Sequence, residues 1–318
     1  MSNKTAYNDF FDRADQFVQD GRYEEAIVLY QKLVEMNPGD DSLVMSLACA
    51  YHDNGDLNQA IKCLEALFEK ELTREVFTGF AYDELVRILR EMGEHTKLID
   101  LCERVVAAQP DDCAFLVTLG ESCMRGGAVQ RAVEVFTMLT RMEPESASYW
   151  CNLGGTLIAN GDFAGAEEAY GRALALDHED ADSFYFGMAN AYIEAEELQR
   201  AEEVLKKAIA ANTEEPLYHC SLGDVYLKEG RPAEGRECYT HAIAINPSSE
   251  AVFCNRMGNT MLMEGFIHEA VEAFEMAIAQ DPKNPFYYLG ILRACEKGGL
   301  DAKAQEVYEK ARERNVFN

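Results

Sequence analysis

The chain has 318 residues, with 29 Lys and Arg against 56 Asp and Glu, a formal charge of −27 at pH 7. Such a balance disfavours nucleic acid and anionic membrane, which bind through clustered basic side chains, and favours a basic or neutral protein or peptide as partner. Ten cysteines lack any C-x-x-C pair or zinc-type spacing, the N-terminus lacks a charged-then-apolar leader, and no run reaches about 18 apolar residues. The expectations are a reducing, cytoplasmic location, no metal, no cofactor and no membrane insertion.

In chain order, residues 1–6 read as a disordered leader, and nine units of two helices follow. Glycine returns at the middle of each: Gly21 in 7–40, Gly55 in 41–74, Gly93 in 79–112, Gly127 in 113–146 and Gly161 in 147–180. Glu196 stands where one is due in 182–215, and Gly230, Gly265 and Gly299 serve 216–249, 251–284 and 285–318. A small residue comes five places later in all but one unit (Ala26, Ala60, Ala132, Ala166, Ala201, Gly235, Ala270 and Ala304), and Leu98 is the exception. Within 147–180, Trp150, Leu153, Gly154 and Leu157 recur at helical steps, Gly161-Asp162 breaks the pattern, and Ala166, Tyr170, Ala173 and Leu174 resume it. Pro38, Pro110, Pro144, Pro247 and Pro282 mark the ends of second helices. No segment alternates as a strand does, so the fold is predicted to be all-α. A rule of about 150 residues per domain would give two globules, but repetition at one fixed length gives a stacked array.

Small residues also hold one slot in first helices: Ala14, Ala48, Gly120, Gly154, Ala189, Gly223 and Gly258. Their lack of bulk lets two helices approach closely. Aromatic neighbours such as Tyr51, Tyr192, Tyr226, Tyr30, Phe136, Tyr170, Tyr239 and Phe274 are read as core.

The 34-residue spacing, the two small slots, the aromatic and the closing proline together resemble the tetratricopeptide repeat family over essentially the whole chain. The units at 147–180, 216–249 and 251–284 fit best. Those at 79–112 and 285–318 depart most, with Val86 and Leu292 in the small slot. The resemblance implies a right-handed superhelical solenoid whose first helices line a concave groove that holds a peptide, a helix or a partner domain. It also implies that residues two, five, six, nine, twelve and thirteen of each first helix face that groove. One cluster of such positions is Asn152, Asn190, Asp224, Asn255, Arg256, Asn259, Arg293 and Lys297, with Lys228 nearby. Asparagine is a mediocre helix former, and inner-face amides resemble the ladder with which some family members hold an extended backbone. A second patch holds Phe11, Asp12, Asp15, Asp83, Glu84, Arg87 and Glu121, with Asp53, Arg90 and Arg125. The competing reading is a solvated groove with contacts elsewhere.

The histidines are isolated and neither a nucleophile elbow nor a phosphate loop is present, so no catalytic residue is assigned. Cys151 and Cys220 fall on expected groove faces, where a reactive thiol would need a base that the repeat frame does not supply. The leading function is therefore a non-catalytic interaction scaffold, monomeric or weakly self-associating. Alternatives are a structural protein assembling end to end, for which the clue is a stop at Asn318, with Val316 and Phe317 beside it and without the solvating helix that family members often carry after the last unit, and a regulatory repeat subunit acting in trans with an enzyme such as a glycosyltransferase. The four residues at 75–78 are an insertion, expected to lengthen a helix and to set 7–74 apart as an N-terminal module. The unit at 285–318, whose second helix is highly charged, is expected to act as the cap.

Overall fold

The computed structural model describes residues 3–74 and 77–317. Among them every regular element is helical, and the helices come in pairs. These are α1 (Asn3–Gln19) and α2 (Tyr23–Met36), α3 (Asp41–Asp53) and α4 (Leu57–Leu72), α5 (Phe80–Glu91) and α6 (His95–Ala108), and α7 (Cys113–Arg125) and α8 (Val129–Met142). There follow α9 (Ala147–Ala159) and α10 (Phe163–Leu176), α11 (Ala181–Glu194) and α12 (Leu198–Ala211), α13 (Pro216–Lys228) and α14 (Pro232–Ile245), α15 (Glu250–Met263) and α16 (Ile267–Gln280), and α17 (Pro285–Gly298) and α18 (Asp301–Glu313). Each pair falls in one predicted repeat, and the fold is an all-α solenoid of helical hairpins. Helix α1 begins at Asn3, inside the segment read as a leader. The chain forms two compact units, one up to Val135 and one from Phe136, with the division inside α8.

One backbone device closes all nine hairpins. The residue before the second helix donates its N–H to a carbonyl five residues back, from Arg22 to Phe17 (2.8 Å), Asp56 to Tyr51 (2.8 Å) and Glu94 to Leu89 (3.0 Å) onwards to Leu300 and Cys295 (2.9 Å). That bond needs a left-handed residue between its partners, and the turn glycines supply it at φ between +66° and +87°. Where glycine is missing the bond is still made: Glu197 donates to Tyr192 (2.9 Å), and Glu196 takes φ of 60°. Capping carboxylates then start several first helices, as Asp40 does by accepting from the Ser42 N–H and Asp112 from Ala114.

Inside the hairpins, rings of second helices lie on small residues of first helices. A methyl group on Gly154 would stand 2.6 Å from the Tyr170 ring, and one on Gly223 2.9 Å from Tyr239. Phe274 is enclosed from two repeats, by Gly258 of α15 and Gly290 of α17. Successive hairpins then stack through second-to-first helix contacts: α2 on α3, α4 on α5 and α6 on α7 in the first unit, and α10 on α11 through α16 on α17 in the second. The single extra residues at 181 and 250 open α11 and α15, each 14 residues long where α9 and α13 have 13.

The seam after the second repeat lies inside the first unit. Helix α4 has 16 residues against 14 in α2 and α6, yet it ends at Leu72 and does not run through the insertion. Glu75 and Val76 lie outside the described residues. Beyond them Phe77 packs edge-on against Phe68 and Phe115, and Gly79 turns the chain into α5 at φ of +76°. At the other end, Val316 packs on the core. Phe317 stacks on Tyr308 and meets Tyr288 edge-on, and Arg314 donates to the Tyr288 hydroxyl at 2.9 Å.

Two substitutions test these contacts. Gly154→Ala should lower stability by about 1–3 kcal/mol through the clash with Tyr170. Glu196→Gly should raise it by about 0.5–1 kcal/mol, because relief of the left-handed strain exceeds the added freedom of the unfolded chain. Urea unfolding of each variant reads both signs.

Candidate protein-interaction face

In the second unit first helices also touch one another, α9 with α11, and α13 with α15 and α15 with α17, and so form two stretches of wall. The predicted cluster Asn152, Asn190, Asp224, Asn255, Arg256, Asn259, Arg293 and Lys297 is distributed along these helices. Its members divide into side chains that hold the wall together and side chains left open.

Asp224 is the centre of the first group. Its carboxylate accepts from the Tyr239 hydroxyl (2.6 Å), from Thr260 Oγ1 (2.7 Å) and from both Nε (2.8 Å) and Nη2 (2.7 Å) of Arg256, whose Nη2 also donates to Ser221 (3.1 Å). Helices α13, α14 and α15 are thus tied through one half-buried carboxylate. Burial, and after it the Asp224 charge, push the Tyr239 phenol well above its ordinary pKa, so it remains a donor. Asp15 plays the same part in the first unit by accepting from Tyr30, again 15 residues on. Lys297 donates to the Leu262 and Met263 carbonyls at the end of α15, where a cation is favoured, and Arg293 donates to Leu289 of its own helix at 3.3 Å. The Asn259 amide turns back onto the Asn255 carbonyl at 2.9 Å.

The second group is small. Among the described residues the side-chain amides of Asn152, Asn190 and Asn255 have no hydrogen-bond partner, and all three are at least partly exposed. Beside them runs a feature that the polar residues alone did not reveal. Leu217, Val252 and Phe286 each hold the second position of their repeat, at the starts of α13, α15 and α17, and are 46%, 59% and 66% exposed. Leu289, one turn along α17, is exposed as well. Equivalent positions on packed neighbouring helices put these side chains in one row, and an apolar row open to water marks an interaction surface more strongly than scattered single residues do. Its signal in the sequence was an apolar residue at spacings of 35 and 34.

The first unit handles its groove residues differently. Phe11 sits edge-on to Tyr30 and packs against the core, so it is a hairpin contact rather than an open side chain. Asp12 and Asp83 are exposed. Glu84 takes a two-pronged contact from Arg87 at 2.6 and 3.0 Å, Arg87 reaches His52 at 3.1 Å, and His52 reaches Glu91 at 3.2 Å. Glu121 meets Arg90 at 3.6 Å, with both side chains partly exposed.

Cys220 is fully buried rather than on an open face, because α13 packs against both α14 and α15 there. Burial pushes the thiols of Cys151 and Cys220 up to about 12, which leaves little thiolate at neutral pH. Among the described residues no three His, Cys, Asp or Glu side chains are grouped to hold a metal ion, and no helix is long and apolar enough to cross a membrane.

A wall of first helices braced from behind by second helices defines a class, the helical-hairpin repeat scaffold. Profiles described as tetratricopeptide repeat match residues 17–76 and 157–224, 124–185, and 216–249, together more than half of the chain. The chain belongs to the tetratricopeptide repeat family. A TPR repeat-containing protein of Methanocaldococcus jannaschii is 20% identical over 319 aligned positions, taking in 92% of this chain and 54% of its own length. The human Protein O-mannosyl-transferase TMTC1 is 26% identical over 162 residues, 49% of this chain and 18% of that one, and the Arabidopsis thaliana Protein CTR9 homolog 26% over 207, with shares of 64% and 18%. The chain therefore spans between 18% and 54% of the length of these relatives. Similar solved structures include the Cut9–Hcn1 hetero-tetramer of the APC/C (TM-score 0.42, 14% identity, 95% of this chain and 52% of that one). MamA is another (TM-score 0.38, 25% identity, 52% and 95%).

The division between bracing and open side chains is measurable. Asp224→Ala strands the Tyr239 hydroxyl and the Arg256 charge and should cost about 2–3 kcal/mol of stability. Asn255→Ala, with no internal partner to lose, should stay within about 0.5 kcal/mol of the parent in the same denaturation experiment.

Proposed function

We propose that the protein is a non-catalytic scaffold that holds a segment of a partner protein against α13, α15 and α17. The row of Leu217, Val252 and Phe286 grips apolar side chains, and the amides of Asn190 and Asn255 meet the backbone or polar groups beside them. The observation that carries this reading is the exposure of that row at one repeated position on packed neighbouring helices. Burial of three such side chains is worth roughly 1.5–3 kcal/mol each, enough for a specific contact once the amides fix its register. Arg256 and Asp224, committed to each other, contribute rigidity to the wall instead of contacts to the partner. The charge of −27 favours a neutral or basic partner, and the free-thiol chemistry of the buried cysteines favours the cytoplasm.

Val316 and Phe317 pack on the chain's own core and rings, while Phe317 and Tyr308 stay 37% and 54% exposed, the feature on which the end-to-end alternative rests. The O-mannosyl-transferase relative favours a version in which the partner is itself a catalytic chain.

A photo-crosslinking residue placed at Asn255 in the full chain should capture discrete partner proteins from an extract. Leu217→Ser with Phe286→Ser should abolish those adducts while leaving the urea midpoint in place. Adducts that persist in the double variant would reject the site, and a catalytic activity travelling with the adduct would identify the partner as an enzyme.

A further inference from the structure

The seam of the first unit holds a cleft of about 660 Å³ between α3 and α5, within the range of cavities that accept a ligand or a short peptide segment. Its apolar part comes from Met45, Leu67 and Phe80, whose ring is 67% exposed. The rest is polar, with the acids Asp41, Glu71, Asp83 and Glu84 against the cation Arg74, and the acids are unevenly matched. Asp41 is paired with Lys70 and Arg74, and Glu84 with Arg87. Asp83 has no cation partner among the described residues. Glu71 is only 6% exposed, and its carboxylate bonds neutral donors: Thr78 Oγ1 at 2.7 Å and the Ala81 N–H at 3.3 and 3.4 Å.

The carboxyls of Glu71, which is buried, and Asp83 therefore line the cleft without a cation partner among the described residues, next to an open aromatic ring. Burial, and after it the charges of Glu71 and Glu84, hold the Asp83 carboxyl above its usual range. A cation entering the cleft would be attracted by both unmatched carboxylates, and an alkyl stem would cover the exposed apolar surface. A small inorganic cation would leave Phe80 and Met45 wet, whereas a lysine or arginine side chain satisfies both halves of the lining.

We propose that this cleft is a specificity site that takes a basic side chain of a partner protein, its stem on Phe80 and Met45 and its charged head among Asp83, Glu84 and Glu71. The proposal rests on the reading of the chain as a protein-binding scaffold, but it is independent of the apolar row on α13, α15 and α17. It defines the partner as one carrying an exposed arginine or lysine flanked by apolar residues.

Cys49 lines the same cleft and is exposed, so its alkylation reports occupancy directly. The probes are an end-capped Ala-Leu-Arg-Leu-Ala peptide and its twin with neutral citrulline for arginine, added at saturating concentration to the full chain at mildly alkaline pH. Mass spectrometry then follows N-ethylmaleimide addition at Cys49. The arginine peptide should slow that reaction at least about fivefold and the citrulline peptide less than about twofold, because only the first brings charge to the carboxylates. Asp83→Asn should erase the difference, and Val252→Ser, on the separate face, should keep it. Equal slowing by both peptides, slowing by neither, a difference that survives Asp83→Asn, or one lost in Val252→Ser would each overturn the assignment. Adducts at Asn255 that persist in the Leu217→Ser, Phe286→Ser variant, with this difference intact, would instead reject only the other face.

Discussion

The contact of an aromatic ring with a glycine or alanine one helix away is the constraint on which the rest of the structure depends. It sets how closely the two helices of a hairpin approach, and that distance fixes where the next hairpin can stack. Tyr170 on Gly154, Tyr239 on Gly223 and Phe274 between Gly258 and Gly290 are instances within the second unit. Because Phe274 is shared by two repeats, the register of one hairpin is passed to its neighbour through a single side chain. The wall of first helices is the consequence, and its outward side chains are free for other uses only because packing is completed on the opposite side.

Electrostatics refines this arrangement. A chain of −27 faces self-repulsion, and part of its charge is used in bracing between helices. Asp224 joins three helices through Tyr239, Thr260 and Arg256, and Glu202 gathers Lys206, Arg231 and Tyr226 in the same manner. Against that background an acid without a counter-charge stands out more than an acid as such. Asp83 and Glu71 are of this kind, and they lie where the insertion interrupts the regular stack. Irregularity in a repeat array is the natural place for recognition, since the regular positions are committed to stacking.

Much of the fold was legible in the sequence because its determinants are local. The reversal at each hairpin needs a left-handed residue at one position and nothing remote, so the glycine series located every turn, and Glu196 kept the geometry without the glycine. The candidate site was less legible. Asn152, Asn190 and Asn255 were found as at least partly exposed amides, but Arg256, Asp224 and Lys297, chosen on the same grounds, are bound to partners 15 to 36 residues away. Phe11 and Cys220 were placed on open faces by helix position, yet Tyr30 and the packing of α14 and α15 cover them. Leu217, Val252 and Phe286 were passed over because apolar residues in a helical repeat are ordinarily core.

The sequence by itself determined the number of repeats, the turn inside each hairpin and the small-to-aromatic pairing of its helices, since these follow from residues a few turns apart on one chain segment. Only the tertiary structure decided which polar side chains are already satisfied, which apolar ones stay in water and where the seam opens into a cleft. Those outcomes depend on how side chains from different repeats meet, and helical periodicity specifies the face of a helix without specifying what a neighbouring helix brings to it.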